Sequence, residues 1–291
     1  RLIHDGHEIG AVYTQPDRPS GRGNKITFSP VKQLALDKGL PVLQPAKIKT
    51  PEAFEEFRSH NADVAVVVAY GRILPESFLT VYPNGAINVH FSLLPKYHGA
   101  APVNWAIVNG ETVTGVTTMN MDAGLDTGDI LLQRKTAIGS EENSIELMDR
   151  LAGIGADLLS ETLKRLPELE PRPQDDSLAT MAPIMTKEDG RFAWAMPADQ
   201  IARMVRGFQP FPTTFTYYGG KKLTIWSSSP TEIESHVVPG TVIVASGDQL
   251  LIKCGGASVL KIVELQLEGK RRMNVRDFLN GVTFKVGDVI E

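Results

Sequence analysis

The run DVAVVVAY at residues 63–70 restricts the fold more than any other feature, because an extended chain with this sequence is apolar on both faces. A strand of that kind must be covered on both sides, as in a parallel sheet packed between helices. EIGAVYT at 8–14, GAINVH at 85–90 and TGVTTMNM at 114–121 also have strand character, and helical segments separate them. We therefore predict an α/β fold with a doubly wound, mostly parallel sheet.

The predicted helices have clear starts. Ser29-Pro30 and Thr50-Pro51 each place a capping side chain before a proline at the first helical position. APVNWAIVNG at 101–110 predicts a short helix. The amphipathic segment 144–166 predicts a long helix with Ser144 as its N-cap.

The sequence changes character after this long helix. PELEPRPQDD crowds prolines and charges without an apolar period, which predicts a linker over 168–185 between a first domain at 1–167 and a second at 186–291. In the second domain, TTFTYY and KKLTIW flank Gly219-Gly220, a two-residue hairpin signal, and further strand-length runs follow. This domain is predicted to be a small β-barrel.

Composition excludes several classes of protein. With 291 residues, 42% of them hydrophobic, the chain can form one large or two ordinary domains, and its formal net charge of -4 gives no overall attraction to nucleic acid or to anionic membranes. The single Cys254 excludes an internal disulfide and a zinc thiolate cluster, and it fits a reducing cytosol. No apolar run approaches the length of a membrane span. We expect a soluble cytoplasmic protein, in a bacterial cytosol or an organelle matrix.

Three polar residues near predicted strand ends are candidates for catalysis. Asn88 and His90 are two residues apart, so their side chains leave the same face of one strand. Asp126 lies in MDAGLDTGDI, where Gly124 and Gly128 allow a tight turn that can bring the carboxylate to the imidazole. An amide donor, an imidazole and a carboxylate suit an oxyanion that develops beside a nucleophile losing a proton. No serine or thiol lies in an elbow motif, which favours direct attack by a substrate amine.

Each of these residues also has an ordinary structural interpretation. A single His at a strand end is more often a hydrogen-bonding residue than a catalyst. Asp126 alone fits a turn, and Asn88 alone fits a strand-end cap. Only the corner as a whole is specific enough to favour catalysis.

That corner resembles the family of formyltransferases that use 10-formyltetrahydrofolate. N-x-H-x-SLLP-K-x-x-GAAP at 88–102, followed by MDAGLDTGDI at 121–130, is similar to long motifs of this family. The resemblance implies a Rossmann-like catalytic domain followed by an OB-like barrel, catalytic roles for Asn88, His90 and Asp126, and no metal. It also implies that the reduced folate binds against the turn formed by Ser92, Leu93, Leu94 and Pro95.

Three features depart from the family pattern. The family usually has arginine at the position of His98 and a small residue at that of Phe91. Loss of the guanidinium would weaken a contact to a phosphate or a carboxylate. RLIHDG is typical of the last turn of a helix ended by Gly6, whereas family members begin with a further strand. We therefore expect unpaired backbone and apolar surface beside EIGAVYT and DVAVVVAY, with lower solubility and activity than in a chain that has this strand.

The formyl acceptor is indicated by two basic segments. TQPDRPSGRGNKITFSP at 14–30 resembles the loop with which tRNA-specific members of the family enter the acceptor arm, which implies tRNA-binding roles for Arg18, Arg22 and Lys25. The C-terminal barrel of the family contacts tRNA, and its dense basic cluster here is Lys270, Arg271 and Arg272. By charge alone, solvated surface would explain both segments at least as well.

The resemblance thus implies transfer of a formyl group from 10-formyltetrahydrofolate to the α-amine of initiator methionyl-tRNA, by a monomer without a metal or a membrane partner. Two alternatives stay open: formylation of a sugar-nucleotide amine by a related enzyme, and a non-catalytic protein that binds tRNA or folate. The first would not predict the GRG loop at 21–23. The second would tolerate loss of the three candidate catalytic residues, which are all present.

Overall fold

The computed structural model describes residues 1–20, 25–282 and 284–291 of the chain. They form two compact units. The first unit comprises residues 1–100, 115–135 and 151–181, and the second comprises residues 101–114, 136–150 and 182–291. All three candidate catalytic residues belong to the first unit.

Helices and strands alternate between residues 30 and 120, the pattern that the sequence predicts for the first domain. In chain order, the strands are β1 (Val12–Tyr13), β2 (Pro19–Ser20), β3 (Lys25–Ile26), β4 (Val42–Leu43), β5 (Ala65–Val67), β6 (Ala86–His90), β7 (Val113–Asn120), β8 (Ile130–Ala137), β9 (Thr214–Tyr218), β10 (Lys221–Pro230), β11 (Val242–Ser246), β12 (Gln249–Lys253), β13 (Val259–Leu267) and β14 (Met273–Asn274). The helices are α1 (Pro30–Asp37), α2 (Pro51–Ser59), α3 (Glu76–Thr80), α4 (Pro102–Val108), α5 (Ser144–Arg165), α6 (Ala198–Gly207) and α7 (Val275–Gly281). Within the described residues, no helix combines the length and the apolar character that crossing a membrane requires.

The strands of the first unit confirm the predicted α/β fold class, but their pairing is mixed and not mostly parallel. β1 pairs with β4 in parallel, and β5 pairs with β6 in parallel within the sheet β5-β6-β7-β8. β7, however, runs antiparallel to β6, with His90 opposite Thr117. Asn120 at the end of β7 therefore lies opposite Ile87, near the start of β6. The loop after β7 must turn back along β6 to bring Asp126 to His90.

The apolar strands β1 and β5 border a cavity of about 420 Å³ in the first unit. Val12, Val66 and Val68 are among the side chains that line it, and Val68 is 47% exposed. Apolar side chains therefore face this cavity from both strands.

Two helix starts form as the sequence predicts. Ser29 Oγ accepts a hydrogen bond from the backbone N–H of Lys32 at the start of α1 (3.1 Å). Thr50 Oγ1 accepts one from the backbone N–H of Ala53 at the start of α2 (3.2 Å). Each cap satisfies one of the N–H groups that have no partner inside the helix.

The start of α5 differs from the prediction. Asn143, and not Ser144, is the cap: its Oδ1 accepts from the N–H groups of Ile145 (2.9 Å) and Glu146 (3.1 Å). The Glu146 carboxylate accepts in return from Asn143 N (3.0 Å), which completes a capping box. Ser144 Oγ donates instead to the carbonyl of Gln209 (2.5 Å). The prediction for Ser144 is wrong because both Asn143 and Ser144 are good capping residues and only Asn143 has an acidic residue three positions later.

An antiparallel sheet forms the centre of the second unit. Its strand order is β11-β12-β13-β10-β9, and β14 pairs with β13. Gly219 and Gly220, with φ angles of 54° and 73°, form the predicted two-residue turn between β9 and β10. The sheet packs with α6 and α7 around a core in which Leu223, Phe208 and Phe278 are at most 1% exposed.

Cys254 lies in this core and is fully buried. Burial raises the pKa of its thiol to about 12. A thiol with that pKa is inert near neutral pH, so Cys254 acts as a small core residue.

Candidate active site

Strand β6 holds the first two candidate residues in the middle of its sheet. Asn88 lies opposite Val67 of β5 on one side and Met119 of β7 on the other. Asn88 is 9% exposed and His90 is 6% exposed. Their side chains leave the same face of the strand, so the carboxamide and the imidazole are neighbours in a nearly buried site.

The turn after β6 fixes the proton on His90. Nε2 of His90 lies 2.9 Å from the carbonyl oxygen of Tyr97, whose φ of 65° is left-handed. A carbonyl oxygen can only accept, so Nε2 must carry the proton and donate it. In the neutral imidazole, Nδ1 then has a free lone pair.

Asp126 is carried by the tight loop between β7 and β8. Asp122 Oδ1 accepts from Gly124 N (3.0 Å) and from Thr127 Oγ1 (2.7 Å), which closes the loop. A Cβ at Gly124 would lie 1.9 Å from Thr127 Oγ1, and a Cβ at Gly128 would lie 1.9 Å from a carbonyl oxygen of β7. The two glycines of GLDTG are therefore required by close packing within the loop.

The Asp126 carboxylate faces the open nitrogen of His90. Its Oδ2 accepts from Gly99 N (2.7 Å) and lies 3.7 Å from His90 Nδ1. This separation is too long for a direct hydrogen bond, and both atoms are acceptors when the imidazole is neutral. Asp126 also has a left-handed φ of 59°, a conformation that costs an L residue roughly 1–2 kcal/mol and that Asp tolerates better than most. The site thus presents two acceptors that one N–H group placed between them could reach.

Burial sets the charge of His90. It lowers the pKa of the imidazole below its usual value of 6.5, although the Asp126 carboxylate and the Tyr97 carbonyl act in the opposite direction. His90 is therefore neutral near pH 7. Its Nδ1 is available there as a proton acceptor.

The Asn88 carboxamide is available to a ligand. None of the described residues forms a hydrogen bond with it. Nearly buried amides usually have protein partners, so an amide without one is suited to donate to a substrate oxygen. A formyl oxygen is an acceptor of the kind that this site can take.

Hydrogen bonds from side chains of β7 and β8 hold the backbone of the predicted folate-binding turn against the sheet. Thr117 Oγ1 donates to Ser92 O (2.7 Å) and accepts from Leu94 N (3.2 Å), and β8 supplies a further hydrogen bond to Leu94 O. The side chains of Ser92 and Leu94 are buried. Leu93 and Pro95 keep part of their surface exposed, so they are the side chains of this turn that a ligand can reach.

One further residue, which no sequence pattern marks, contacts the Asp126 loop. Gln174 Nε2 donates to the carbonyls of Asp126 (2.7 Å) and Gly128 (2.8 Å), and its Oε1 lies 3.0 Å from His98 Nε2. Thr180 O accepts from the backbone N–H of His98 (2.8 Å). Both Gln174 and Thr180 lie in the segment predicted to be a linker. Its prolines and charges have no periodic pattern from which these contacts could be predicted.

Helix α5 makes room for the bulk of Phe91. A Cβ at Gly155 would lie 3.2 Å from Phe91 Cε1 and 3.1 Å from Val89 Cγ1. The ring therefore occupies space that a glycine leaves open.

Comparison with known proteins identifies the family. The sequence profile described as formyl transferase matches residues 2–163, and the profile of the formyl transferase C-terminal domain matches residues 184–283. The methionyl-tRNA formyltransferase of Caldanaerobacter subterraneus subsp. tengcongensis is 50% identical over 294 residues, which cover 100% of this chain and 94% of the relative. That of Geobacter metallireducens is 48% identical over 290 residues, which cover 99% of this chain and 92% of the relative. The chain belongs to the methionyl-tRNA formyltransferase family.

Solved structures share the fold of this formyltransferase. The N-formyltransferase from Helicobacter canadensis, in complex with folinic acid and dTDP-3-aminofucose, has a TM-score of 0.67 at 18% identity and covers 90% of this chain and 92% of its own. HypX from Aquifex aeolicus, in complex with tetrahydrofolic acid, has a TM-score of 0.64 at 16% identity and covers 97% of this chain. The chain spans half the length of HypX. At these identities the likeness concerns the fold alone.

The candidate tRNA-binding residues of the formyltransferase lie in two segments. Arg18 is exposed, Lys25 begins β3, and Arg22 lies outside the described residues. Lys270 and Arg271 are exposed in the turn that follows β13. The exposed positions of Arg18, Lys270 and Arg271 are compatible with contacts to a phosphate backbone.

Arg272 is more engaged with the protein than its neighbours in sequence. Its guanidinium forms an ion pair with Glu264 (Nε to Oε2, 3.0 Å) and lies 4.8 Å from the centroid of the Trp226 ring. Part of its charge is therefore compensated within the fold.

Among the described residues, no three His, Cys, Asp or Glu side chains come together as a metal site would require.

Proposed function

We propose that this formyltransferase transfers the formyl group of 10-formyltetrahydrofolate to the α-amine of methionine esterified to initiator tRNA, with Asn88, His90 and Asp126 as its catalytic residues. The observation that carries the proposal is the pair of acceptors His90 Nδ1 and Asp126 Oδ2, 3.7 Å apart, near an Asn88 carboxamide with no partner among the described residues. Membership in the methionyl-tRNA formyltransferase family supports the reaction and the acceptor.

When bound, 10-formyltetrahydrofolate supplies the formyl carbon, to which the amine nitrogen bonds as the bond to N10 breaks, and the proton lost by the amine ends on N10. Asn88 donates a hydrogen bond to the formyl oxygen as negative charge develops on it. His90 Nδ1 and Asp126 accept the N–H of the attacking amine. An α-amine has a pKa of about 7.7–8.0, so a large share is already unprotonated and a weak base suffices.

The role of His90 changes during the reaction. Its Nε2 proton is already donated to the Tyr97 carbonyl, so His90 can stabilise an oxyanion only with a second proton, on Nδ1. His90 gains that proton when it accepts it from the amine, and it gives the proton up again as N10 takes one, which returns the imidazole to its neutral form. The resulting imidazolium lies beside the Asp126 carboxylate, which favours its charged form.

The remaining assignments concern substrate binding. We assign the reduced folate to the turn of Ser92, Leu93, Leu94 and Pro95, where the exposed parts of Leu93 and Pro95 offer apolar contact. We assign contacts to the tRNA to the basic side chains of the loop and of the second unit. These residues are Arg18, Arg22, Lys25, Lys270, Arg271 and Arg272.

The test is an incubation of the protein with 10-formyltetrahydrofolate and either methionyl-tRNA or dTDP-3-aminofucose as the acceptor. We expect formylmethionine after deacylation of the tRNA and no formylated sugar. Formylation of the sugar alone would replace the proposal by its closest alternative. Folate binding without transfer to either acceptor would indicate a binding protein.

A further inference from the structure

We infer that Gln174, oriented by His98, is a positioning residue that holds Asp126 in its reactive place. The inference rests on the proposed role of Asp126 in formyl transfer. It concerns a segment that neither family profile covers, since these profiles match residues 2–163 and 184–283.

The hydrogen bonds of Gln174 determine the orientation of its amide. Both atoms near its Nε2, the carbonyl oxygens of Asp126 and Gly128, can only accept, so Nε2 must be the amide nitrogen. Its Oε1 then faces His98 and can only accept, so the proton at this contact must come from His98 Nε2. The chain of donors runs from His98 through Gln174 to the Asp126 loop.

Asp126 depends on such support because its backbone is in an unfavourable conformation. A residue with a φ of 59° stays there only when its surroundings hold it. The Gly99 N–H holds the carboxylate, and the Gln174 amide holds the carbonyls of Asp126 and of Gly128, two residues later. Loss of the amide would free the backbone of Asp126 while leaving the carboxylate itself intact.

The position of this carboxylate matters for the rate. It lies 3.7 Å from His90 Nδ1, and an amine must fit between the two acceptors. A displacement of about 1 Å in such an arrangement can lower a rate by on the order of 100-fold. His98 is 4% exposed, so water competes little for the hydrogen bond that orients Gln174.

A matched control is available in the second unit. Gln209 Nε2 also donates to two backbone carbonyls, those of Val205 and Trp226, each at 3.0 Å. Gln174→Met and Gln209→Met therefore each remove two hydrogen bonds from Nε2 to backbone carbonyls, and Gln174→Met also removes the one that Oε1 accepts from His98. Only the first of them touches the Asp126 loop.

The experiment measures the single-turnover rate of formyl transfer to methionyl-tRNA, the affinity for folate and the melting temperature. The variants are Gln174→Met, Gln209→Met, Asp126→Ala and the double variant of Asp126→Ala with Gln174→Met. We expect Gln174→Met to lower the rate at least about 10-fold with folate affinity unchanged, and Gln209→Met to alter it less than about twofold. In the Asp126→Ala background, Gln174→Met should cause no further loss, because Gln174 acts through Asp126.

Other outcomes separate the inference from the proposed function. The positioning role would be overturned if Gln174→Met and Gln209→Met had equal rates. It would also be overturned if Gln174→Met caused the same loss of rate in the Asp126→Ala variant as in the unaltered protein. A normal rate for Asp126→Ala would instead reject the catalytic assignment of Asp126. His98→Phe gives a second, milder variant, which removes the donor to Gln174 and leaves the two hydrogen bonds of Gln174 Nε2 in place. It should lower the rate by less than Gln174→Met, and an unchanged rate would remove His98 from the inference.

Discussion

At the scale of single residues, the hydrogen bonds within the protein determine which atoms of the site can still bind a substrate. His90 donates its Nε2 proton to Tyr97, and the Asp126 carboxylate accepts from Gly99. Among the described residues, no hydrogen-bond donor engages the Nδ1 lone pair of His90 or the remaining lone pairs of the Asp126 carboxylate, and none forms a hydrogen bond with the Asn88 carboxamide. These groups can serve an amine that loses a proton and a carbonyl that gains negative charge.

The charge of His90 can be measured directly. We expect NMR titration of its imidazole to give a midpoint below 6.5, because burial disfavours the imidazolium. Asp126→Asn should lower the midpoint further, since the carboxylate is the main group that opposes the effect of burial. A midpoint above 6.5, or a rise in the Asp126→Asn variant, would contradict this account.

The same shift has a consequence for stability. The depressed pKa means that the folded state resists protonation of His90. Its contribution to stability is therefore present above about pH 6.5 and decreases as the pH falls and the unfolded chain takes up the proton.

At the scale of elements, helix α5 offers two glycines with opposite surroundings. A Cβ at Gly153 would meet nothing within 4 Å, whereas a Cβ at Gly155 would press on Val89 and Phe91. We expect Gly153→Ala to raise the free energy of unfolding by roughly 0.5–1 kcal/mol, because alanine loses less backbone entropy in a helix. Gly155→Ala should give no such gain, because the close contacts offset it. Denaturant unfolding of both variants tests the difference, and equal gains would show that Phe91 can move away.

The loop at 14–30 is the element to which we assign contact with the acceptor arm. Arg22→Ala should lower kcat/KM for methionyl-tRNA while folate affinity stays the same. The slope of log affinity for tRNA against log salt should decrease by about one, since one phosphate contact is lost. Arg58→Ala, which removes an exposed arginine paired with Glu55 on α2, is the matched control. If the two variants have the same kinetics and the same salt slope, the loop does not recognise tRNA.

Local chemistry explains which elements the sequence predicts well. The caps at Ser29 and Thr50 and the Gly219-Gly220 hairpin are each decided within about four residues, and all three form as predicted. The reversed direction of β7 could not be predicted in this way, because strand direction depends on how distant segments pack. The contact of Gln174 with Asp126 joins residues 48 positions apart and has no local pattern. The candidate catalytic residues were predictable because a long family motif marks them.

At the scale of the whole molecule, charge is distributed unevenly along the chain. Residues 186–291 contain 13 Lys and Arg against 11 Asp and Glu, whereas residues 1–185 contain 17 against 23. A nucleic acid would gain little from the average charge of the first 185 residues, so contacts there must come from a local basic segment. The loop with Arg18, Arg22 and Lys25 is such a segment.

We propose that Asn88, His90 and Asp126 catalyse formyl transfer to methionyl-tRNA, and the single-turnover rate of Asn88→Asp tests this directly. This substitution keeps the shape of the side chain and replaces the amide donor by an acceptor. With saturating 10-formyltetrahydrofolate and methionyl-tRNA, we predict a rate at least about 100-fold below that of the unaltered protein, because an oxyanion donor is lost. Folate affinity and melting temperature should stay close to those of the unaltered protein. A rate within about threefold of the unaltered protein, measured on a variant that folds and binds folate normally, would show that Asn88 is not an oxyanion donor in formyl transfer.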